Sequence, residues 1–192
     1  MGIDEIKKAL GDSANVKLRM AESLPEKILQ VSQKLSGVLK NGGKAIFCGN
    51  GGSAADSQHL ATELVVRLSS KNDRRALPAI SLTTNSSILT ACANDYGFDQ
   101  IFSRHVEAIG LKNDILFAIS TSGNSQNVVN AVKAAKEIGI ATVGFLGGDG
   151  GQLAGLVDYP LLVPSRDTQR IQEGHITIGH IIIEQAEKDF PA

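Results

Sequence analysis

The sequence predicts an α/β protein: a doubly wound, five-stranded parallel sheet flanked by helices, with an N-terminal helical hairpin. Three observations carry this expectation. From Lys44 onward, short apolar runs alternate with helical stretches, the mark of a parallel sheet buried on both faces. Glycine, 20 of 192 residues, gathers at the ends of those runs, where turns and ligand loops sit. Residues 3–40 are helical in pattern and carry no strand signal.

The elements follow in order. Ile6, Leu10, Val16, Met20 and Leu24 form a loose helical stripe, interrupted by Gly11. Ser23 and Pro25 open a second helix, because proline suits a first helical position. Its apolar face of Ile28, Val31, Leu35 and Leu39 runs until Asn41-Gly42-Gly43 stops it. Residues 1–42 therefore read as a hairpin whose stripe must cover the sheet or another subunit. Residues 45–48 form a first strand, followed by the loop Gly49-Asn50-Gly51-Gly52-Ser53 and a helix through Leu68. Residues 78–82 form a second strand, with a helix over 88–93 behind it. Residues 114–119 form a third, followed by Ser120-Thr121-Ser122-Gly123-Asn124-Ser125 and a helix to Ile138. Residues 140–146 form a fourth, closed by the glycine-rich turn 147–151. Tyr159–Val163 is a fifth, and a long helix over Thr168–Glu187 completes the pattern. No internal repeat or low-complexity segment is present, so residues 1–192 read as a single domain.

Composition removes several classes of function. Lys and Arg number 19 against 20 Asp and Glu, a formal charge of −1, which argues against a basic face that grips nucleic acid or an anionic membrane. No apolar run approaches the ~20 residues that span a bilayer. Cys48 and Cys92 sit among apolar or small neighbours and read as buried free thiols suited to a reducing compartment. Asp4, Glu5, Lys7, Lys8 and Asp12 leave no secretory signal in the first residues. A soluble, cytoplasmic protein is expected.

In a parallel sheet, ligands bind outside the carboxyl ends of the strands. Two loops there have suitable composition. In Gly49–Ser53 the glycines allow close backbone approach, and Ser53 offers a hydroxyl at a helix cap. Ser120–Ser125 offers four hydroxyls and a glycine before a helix. Hydroxyls, N–H groups and a positive helix end make an anion site without lysine. Neither loop matches G-x-G-x-x-G or a P-loop. One such loop alone is equally well explained by ordinary capping; two in corresponding positions favour a ligand.

Candidates for chemistry lie on two helices. His59 and Glu63 are four apart and share a helix face, where they can hold a metal or a proton, or simply make a surface contact. Arg67 extends the row and can pair with Glu63 or face a substrate anion. The C-terminal helix carries Gln172, Glu173, His175, His180 and Glu184 among isoleucines. Glu173 and His180, seven apart, are nearly eclipsed at ~100° per residue, whereas Gln172 lies roughly 80° away. Spacing therefore favours Glu173 as the partner of His180. His175 lies about 140° from His180, so the two do not serve one site. Two satisfied core histidines fit the same pattern.

The run Gly49–Ser53 through Ala54-Ala55-Asp56-Ser57-Gln58-His59 and Glu63-Leu64 resembles the phosphoheptose isomerase branch of the sugar isomerase (SIS) family. So do Ala93-Asn94-Asp95-Tyr96-Gly97-Phe98, Ser120–Ser125, Arg170-Ile171-Gln172-Glu173-Gly174-His175 and His180. The resemblance spans nearly the whole chain and implies the SIS fold, a flavodoxin-like three-layer sandwich. It implies interconversion of sedoheptulose 7-phosphate and D-glycero-D-manno-heptose 7-phosphate, an early step toward bacterial heptose precursors. It further implies that Ser120, Thr121, Ser122 and Ser125 hold phosphate, and that Asn50, Gly51, Gly52, Ser53, Asn94 and Asp95 meet the sugar. His59, Glu63, Gln172 and His180 would surround one zinc ion per subunit, with Glu63 and His180 as the acid/base pair and Glu63 and Gln172 also against substrate. That set replaces the spacing preference for Glu173 and gives His175 no catalytic role. Gln169 stands where some members carry aspartate and is assigned none. The resemblance implies a homotetramer with sites between subunits, using the N-terminal helices. The alternative is a phosphosugar-binding regulator or a replication-initiator-associating adaptor. A sensor needs the phosphate loop but has no use for the four zinc-site residues together. A second alternative is isomerisation of a shorter ketose phosphate such as a pentose.

Overall fold

A computed structural model describes residues 2–191. Along the chain run α1 (Ile3–Ser23), α2 (Pro25–Lys40), β1 (Ala45–Gly49), α3 (Gly52–Val65), β2 (Ala79–Ser81) and α4 (Ser86–Tyr96). A 3-10 turn (Phe98–Gln100) then leads into α5 (Ile101–Ile109), β3 (Ile115–Ser120), α6 (Gln126–Ile138), β4 (Ala141–Gly147), α7 (Gly151–Ala154), β5 (Tyr159–Val163) and α8 (Thr168–Glu187). The strands form one sheet, all parallel, in the order β2-β1-β3-β4-β5.

Strand alternation sorts the apolar side chains into two cores. Phe47, Phe117, Phe145, Ile115, Ile119 and Val163 face α1, α2, α3 and α8. Ile46, Cys48, Leu116, Ala118 and Leu146 face the layer of α4, α5, α6 and α7. In the first core Phe47 stacks on Phe117 at 4.8 Å, and Phe145 meets Phe117 edge-on at 5.7 Å. Three adjacent strands are thereby tied by aromatic contact. Cys48 and Cys92 are free and buried, and burial pushes the Cys48 thiol up to about 12. Among the described residues no helix is long and apolar enough to cross a membrane.

The sheet has a switch point. From β1 the chain crosses to β2 on one side; from β3 it crosses to β4 on the other. The loops leaving β1 and β3, with Gly49 opposite Ile119, therefore emerge side by side and part in opposite directions. That opening is where doubly wound sheets bind ligands.

Some elements depart from the sequence pattern. Gly11 does not interrupt α1, which is continuous. Its stripe splits: Val16, Met20 and Leu24 are buried, whereas Ile3, Ile6 and Leu10 are 68%, 62% and 67% exposed. The buried half lies on α8 and the preceding loop, where Ser13 donates to Glu173, Arg170 to the Ala9 carbonyl and Arg19 to the Pro164 carbonyl. Helix α3 stops at Val65, short of Leu68. Helix α5 has no counterpart in the sequence reading, because its buried face includes Ser103 and His105 and breaks the apolar period.

At the amino end of the sheet, Asp114 is buried and accepts from the Lys44 N–H at 2.9 Å, Lys44 Nζ at 2.6 Å and the Leu111 N–H at 2.8 Å. Asp114→Ala leaves these donors without their acceptor, and we expect a loss of about 2–4 kcal/mol in urea denaturation. Activity per folded molecule should be unchanged, because Asp114 precedes β3 and the ligand loops follow the strands.

Candidate functional site

The loop leaving β1 turns through Gly51, which is the N-cap of α3 at φ +56°. Ser53 is therefore not a cap: it lies in the first turn, buried, and donates its N–H to the Asn50 carbonyl. Asn50 and Asn127 exchange two amide hydrogen bonds, each 2.9 Å. Asn127 is buried in the first turn of α6, so this pair locks the β1 loop to the start of the helix behind β3. Sequence reading missed Asn127, since nothing in a helical Gln-Asn-Val-Val run distinguishes it.

In the β3 loop, Ser120 Oγ lies 3.1 Å from Ser125 Oγ and accepts from the Gly123 N–H at 3.2 Å. Ser125 is the N-cap of α6, yet its side chain makes no capping bond. The Val128 N–H in the first turn of α6 donates instead to the Ser125 carbonyl at 3.0 Å. Gly123 sits at φ +66°, and a Cβ on it would fall 1.8 Å from the Gly150 carbonyl oxygen. The glycine-rich turn after β4 therefore buttresses this loop, with Leu153 N–H donating to the Gly123 carbonyl and Gln152 N–H to Asn124 Oδ1. Thr121 and Ser122 line a cleft of about 230 Å³ with Gly147, Asp149, Ser165 and Arg166. Arg166, exposed and without motif context, was not singled out from the sequence.

Helix α3 presents Gly52, Asp56, His59 and Glu63 along one face, and α8 presents Gln172 and His180 toward it. A Cβ on Gly52 would lie 2.6 Å from Gln172 Nε2, and one on Gly179 would lie 2.5 Å from Leu60 Cδ2. This proximity brings His180 Nε2 to 3.1 Å from His59 Nε2, which is itself 3.0 Å from Glu63 Oε1. The three ligand atoms all lie within 4.8 Å of one another. With neutral imidazoles, the single proton on His59 Nε2 serves either Glu63 or His180, not both. A divalent cation accepts lone pairs from all three, so the residues fit a metal, whereas the Gln172 amide lies against Gly52. Burial and the charge of His59 hold His180 below its ordinary value, against the opposing pull of Glu63. Asp56, three residues before His59, keeps one carboxylate oxygen buried without a hydrogen-bond partner, and burial pushes it up to about 6.

Other candidates are placed elsewhere. Glu173 turns toward α1, accepting from Ser13 at 2.6 Å and pairing with Arg170 at 2.9 Å, so the spacing preference for it does not hold. Arg67 lies beyond the end of α3 and pairs with Asp73 at 3.0 Å, not with Glu63. Asn94 and Asp95 are exposed at the end of α4, bonded to one another and apart from the cluster. Gln169 is exposed at the start of α8. His175 is fully buried against Phe145, away from His180.

Known proteins resemble this chain along most of its length. The SIS domain family model matches residues 10–147. The phosphoheptose isomerase of Aquifex aeolicus (strain VF5) is 48% identical over 186 residues, 97% of this chain and 96% of that protein. That of Clostridium acetobutylicum is 54% identical over 165 residues, 86% of this chain and 83% of that protein. The solved phosphoheptose isomerase of Neisseria gonorrhoeae superposes with a TM-score of 0.91 at 40% identity, covering 96% of this chain and 98% of that one.

Burial drives the pKa of His175 down to about 4, opposed by the Leu146 backbone carbonyl as an acceptor for the ring. The folded state thus binds the proton less well than the unfolded chain. Its contribution is full above pH ~6.5 and is lost as pH falls toward 4, by up to about 3 kcal/mol. Urea denaturation across that range should show His175→Leu with a shallower acid-side decline than the parent; equal slopes would contradict the assignment.

Proposed function

Because the chain belongs to the phosphoheptose isomerase family of SIS-domain proteins, we propose that its site interconverts sedoheptulose 7-phosphate and D-glycero-D-manno-heptose 7-phosphate. The observation that carries this reading is the convergence of His59, Glu63 and His180 across α3 and α8, in a chain that also carries a hydroxyl loop at the sheet's switch point. A protein that only binds phosphosugars needs the loop and gains nothing from two imidazoles and a carboxylate held within contact.

Ser120, Thr121, Ser122 and Ser125, with the N–H groups of α6, hold the phosphate. Asn50, Gly51, Gly52 and Gln172 line the path toward the reacting carbons, and Ser53 shapes that loop through its bond to Asn50. Anchoring the remote phosphate contributes binding energy that orients the reacting end. Isomerisation removes a proton from C1 beside the ketone, passes through an enediol and returns a proton to C2, while the hydroxyl proton moves from O1 to O2. Glu63 and His180 divide this traffic, one at carbon and the other at oxygen. The depressed His180 leaves an imidazole that is neutral near pH 7, able to accept a proton or ligate a cation. His59, Glu63, Gln172 and His180 would hold one zinc ion, which supplies a Lewis acid for the substrate oxygens.

The assembly we propose is a homotetramer built on the N-terminal helices, with sites between subunits. Two features support it. Ile3, Ile6, Leu10 and Leu18 on α1 are exposed, as is the apolar groove of about 370 Å³ between α1, α2 and α8 lined by Met20, Pro25, Ile28, Leu29 and Ile181. Asn94 and Asp95 stand apart from the cluster in their own chain and would meet a neighbour's substrate. Buried free thiols fit a cytoplasmic setting.

Incubation of the zinc-loaded protein with sedoheptulose 7-phosphate should yield the aldose, and Glu63→Gln and His180→Ala should each lower kcat by about 10²–10⁴. Turnover at the parent's rate in both variants would refute the roles; an inactive parent that still binds the sugar phosphate would point to a regulator. Light scattering at micromolar concentration should give four times the chain mass, and a monomer there would exclude the proposed assembly.

A further inference from the structure

We propose that Arg74 is a positioning residue for the cation site: a buried clamp that ties the end of α3 to α8 and so fixes Glu63 relative to His180. The inference rests on the reading of that site as the reaction centre. Arg74 lies in the irregular segment between α3 and β2, where an arginine would ordinarily reach into water. Instead its side chain is 0% exposed and all its contacts point inward. Nε donates to Glu187 Oε2 at 3.0 Å, Nη1 to the Leu64 and Arg75 carbonyls at 3.0 Å each, and Nη2 to the Glu63 carbonyl at 2.8 Å.

Each partner has a reason to be there. A helix leaves its last carbonyls unpaired and its C-terminus favours a cation. Because α3 ends at Val65, the carbonyls of Glu63 and Leu64 are among those orphans. The planar guanidinium takes both at once, which a lysine ammonium with its single nitrogen cannot reproduce. One of the two belongs to Glu63 itself, so the clamp grips the backbone of the residue whose carboxylate faces His59. Glu187 lies at the end of α8, its side chain 6% exposed. It follows His180 by seven residues, nearly eclipsed at ~100° per residue, so it occupies the same stripe of α8 two turns further on. Asn72, from the same segment as Arg74, donates to the Glu187 carbonyl at 3.3 Å.

The α3–α8 contact is therefore pinned at three levels: Gly52 against Gln172, Leu60 against Gly179 beside the two histidines, and the Glu63 carbonyl through Arg74 to Glu187. The last level is the one made by ions. Burying an ion pair is no better for stability than burying apolar groups of the same shape, and often worse. What it adds here is direction: a fork that sets the rotation of the last turn of α3, on which Glu63 sits.

Two variants test this. Arg74→Lys keeps the charge and loses the fork. The double variant Arg74→Met/Glu187→Leu removes both charges, leaving neither buried alone. Each is assayed by thermal melting, by zinc affinity in chelator competition, and by kcat and KM with sedoheptulose 7-phosphate. We expect folded proteins whose zinc affinity and kcat each fall about 10–100-fold. KM should stay within about threefold of the parent, because the phosphate loop is untouched. Zinc affinity is read without substrate, so a parent inactive on the heptose phosphate would defeat the proposed function while leaving the clamp under test. Parental zinc affinity in either folded variant overturns the proposal. So does unfolding of both, which would mark the pair as a requirement of the fold and not of the site.

Discussion

Helices α3 and α8 pack closely at Gly179, where a Cβ would fall 2.5 Å from Cδ2 of the buried Leu60; at Gly52 the neighbour is the end of the Gln172 side chain, 2.6 Å away. The rest of the site depends on that approach. Zinc ligands must converge to within about 2.0–2.2 Å of the metal, so donors on separate helices can share an ion only if the backbones come near. With a larger residue at Gly179, the gap between His59 and His180 would widen. The need also dictates topology: after β5 the chain must return to the face that already carries α3, and α8 does so. Helices α1 and α2 then cover what remains of that face.

Two kinds of chemistry are kept on opposite sides of the sheet. Helices α3 and α8, on one face, bring the imidazoles and carboxylates. On the other, the loop after β3 brings hydroxyls and the start of α6 its N–H groups. The loops that lead into α3 and α6 lie side by side because β1 and β3 are neighbours at the switch point. The paired amides of Asn50 and Asn127 bridge that division. A substrate with phosphate at one end and a carbonyl near the other would span it.

Much of the fold was legible because buried parallel strands announce themselves as short apolar runs and need little context. Helix α5 was not, since Ser103 and His105 lie on its buried face and find partners or burial that periodicity does not report. The N-terminal stripe was legible as a stripe, but only tertiary structure splits it into a half on α8 and a half left open. In the site, His59 and Glu63 were legible from local helical spacing. The choice between Gln172 and Glu173 was not legible from spacing, because it is made by Ser13 and Arg170, which draw Glu173 aside. Arg67 missed its expected partner because α3 ended one turn early. Asn127 and Arg74 act through residues distant in sequence, and no local pattern marks such bonds.

The distribution of charge follows the same logic. The chain's formal charge is −1, and buried Asp114 with half-buried Lys44, and buried Arg74 with Glu187, are paired within the architecture. Arg166 and Asp149 both line the cleft beside the hydroxyl loop, and in the proposed function the neutral hydroxyls and N–H groups carry the recognition of phosphate. A cluster of lysines there would hold phosphate more strongly, but its field would reach the neighbouring imidazoles. Positive charge near His59 and His180 opposes a divalent cation, as the effect of His59 on His180 already illustrates. Hydroxyls and a helix end act at short range. In the proposed reaction they would hold an anion while leaving the imidazoles and Glu63 free to hold a cation.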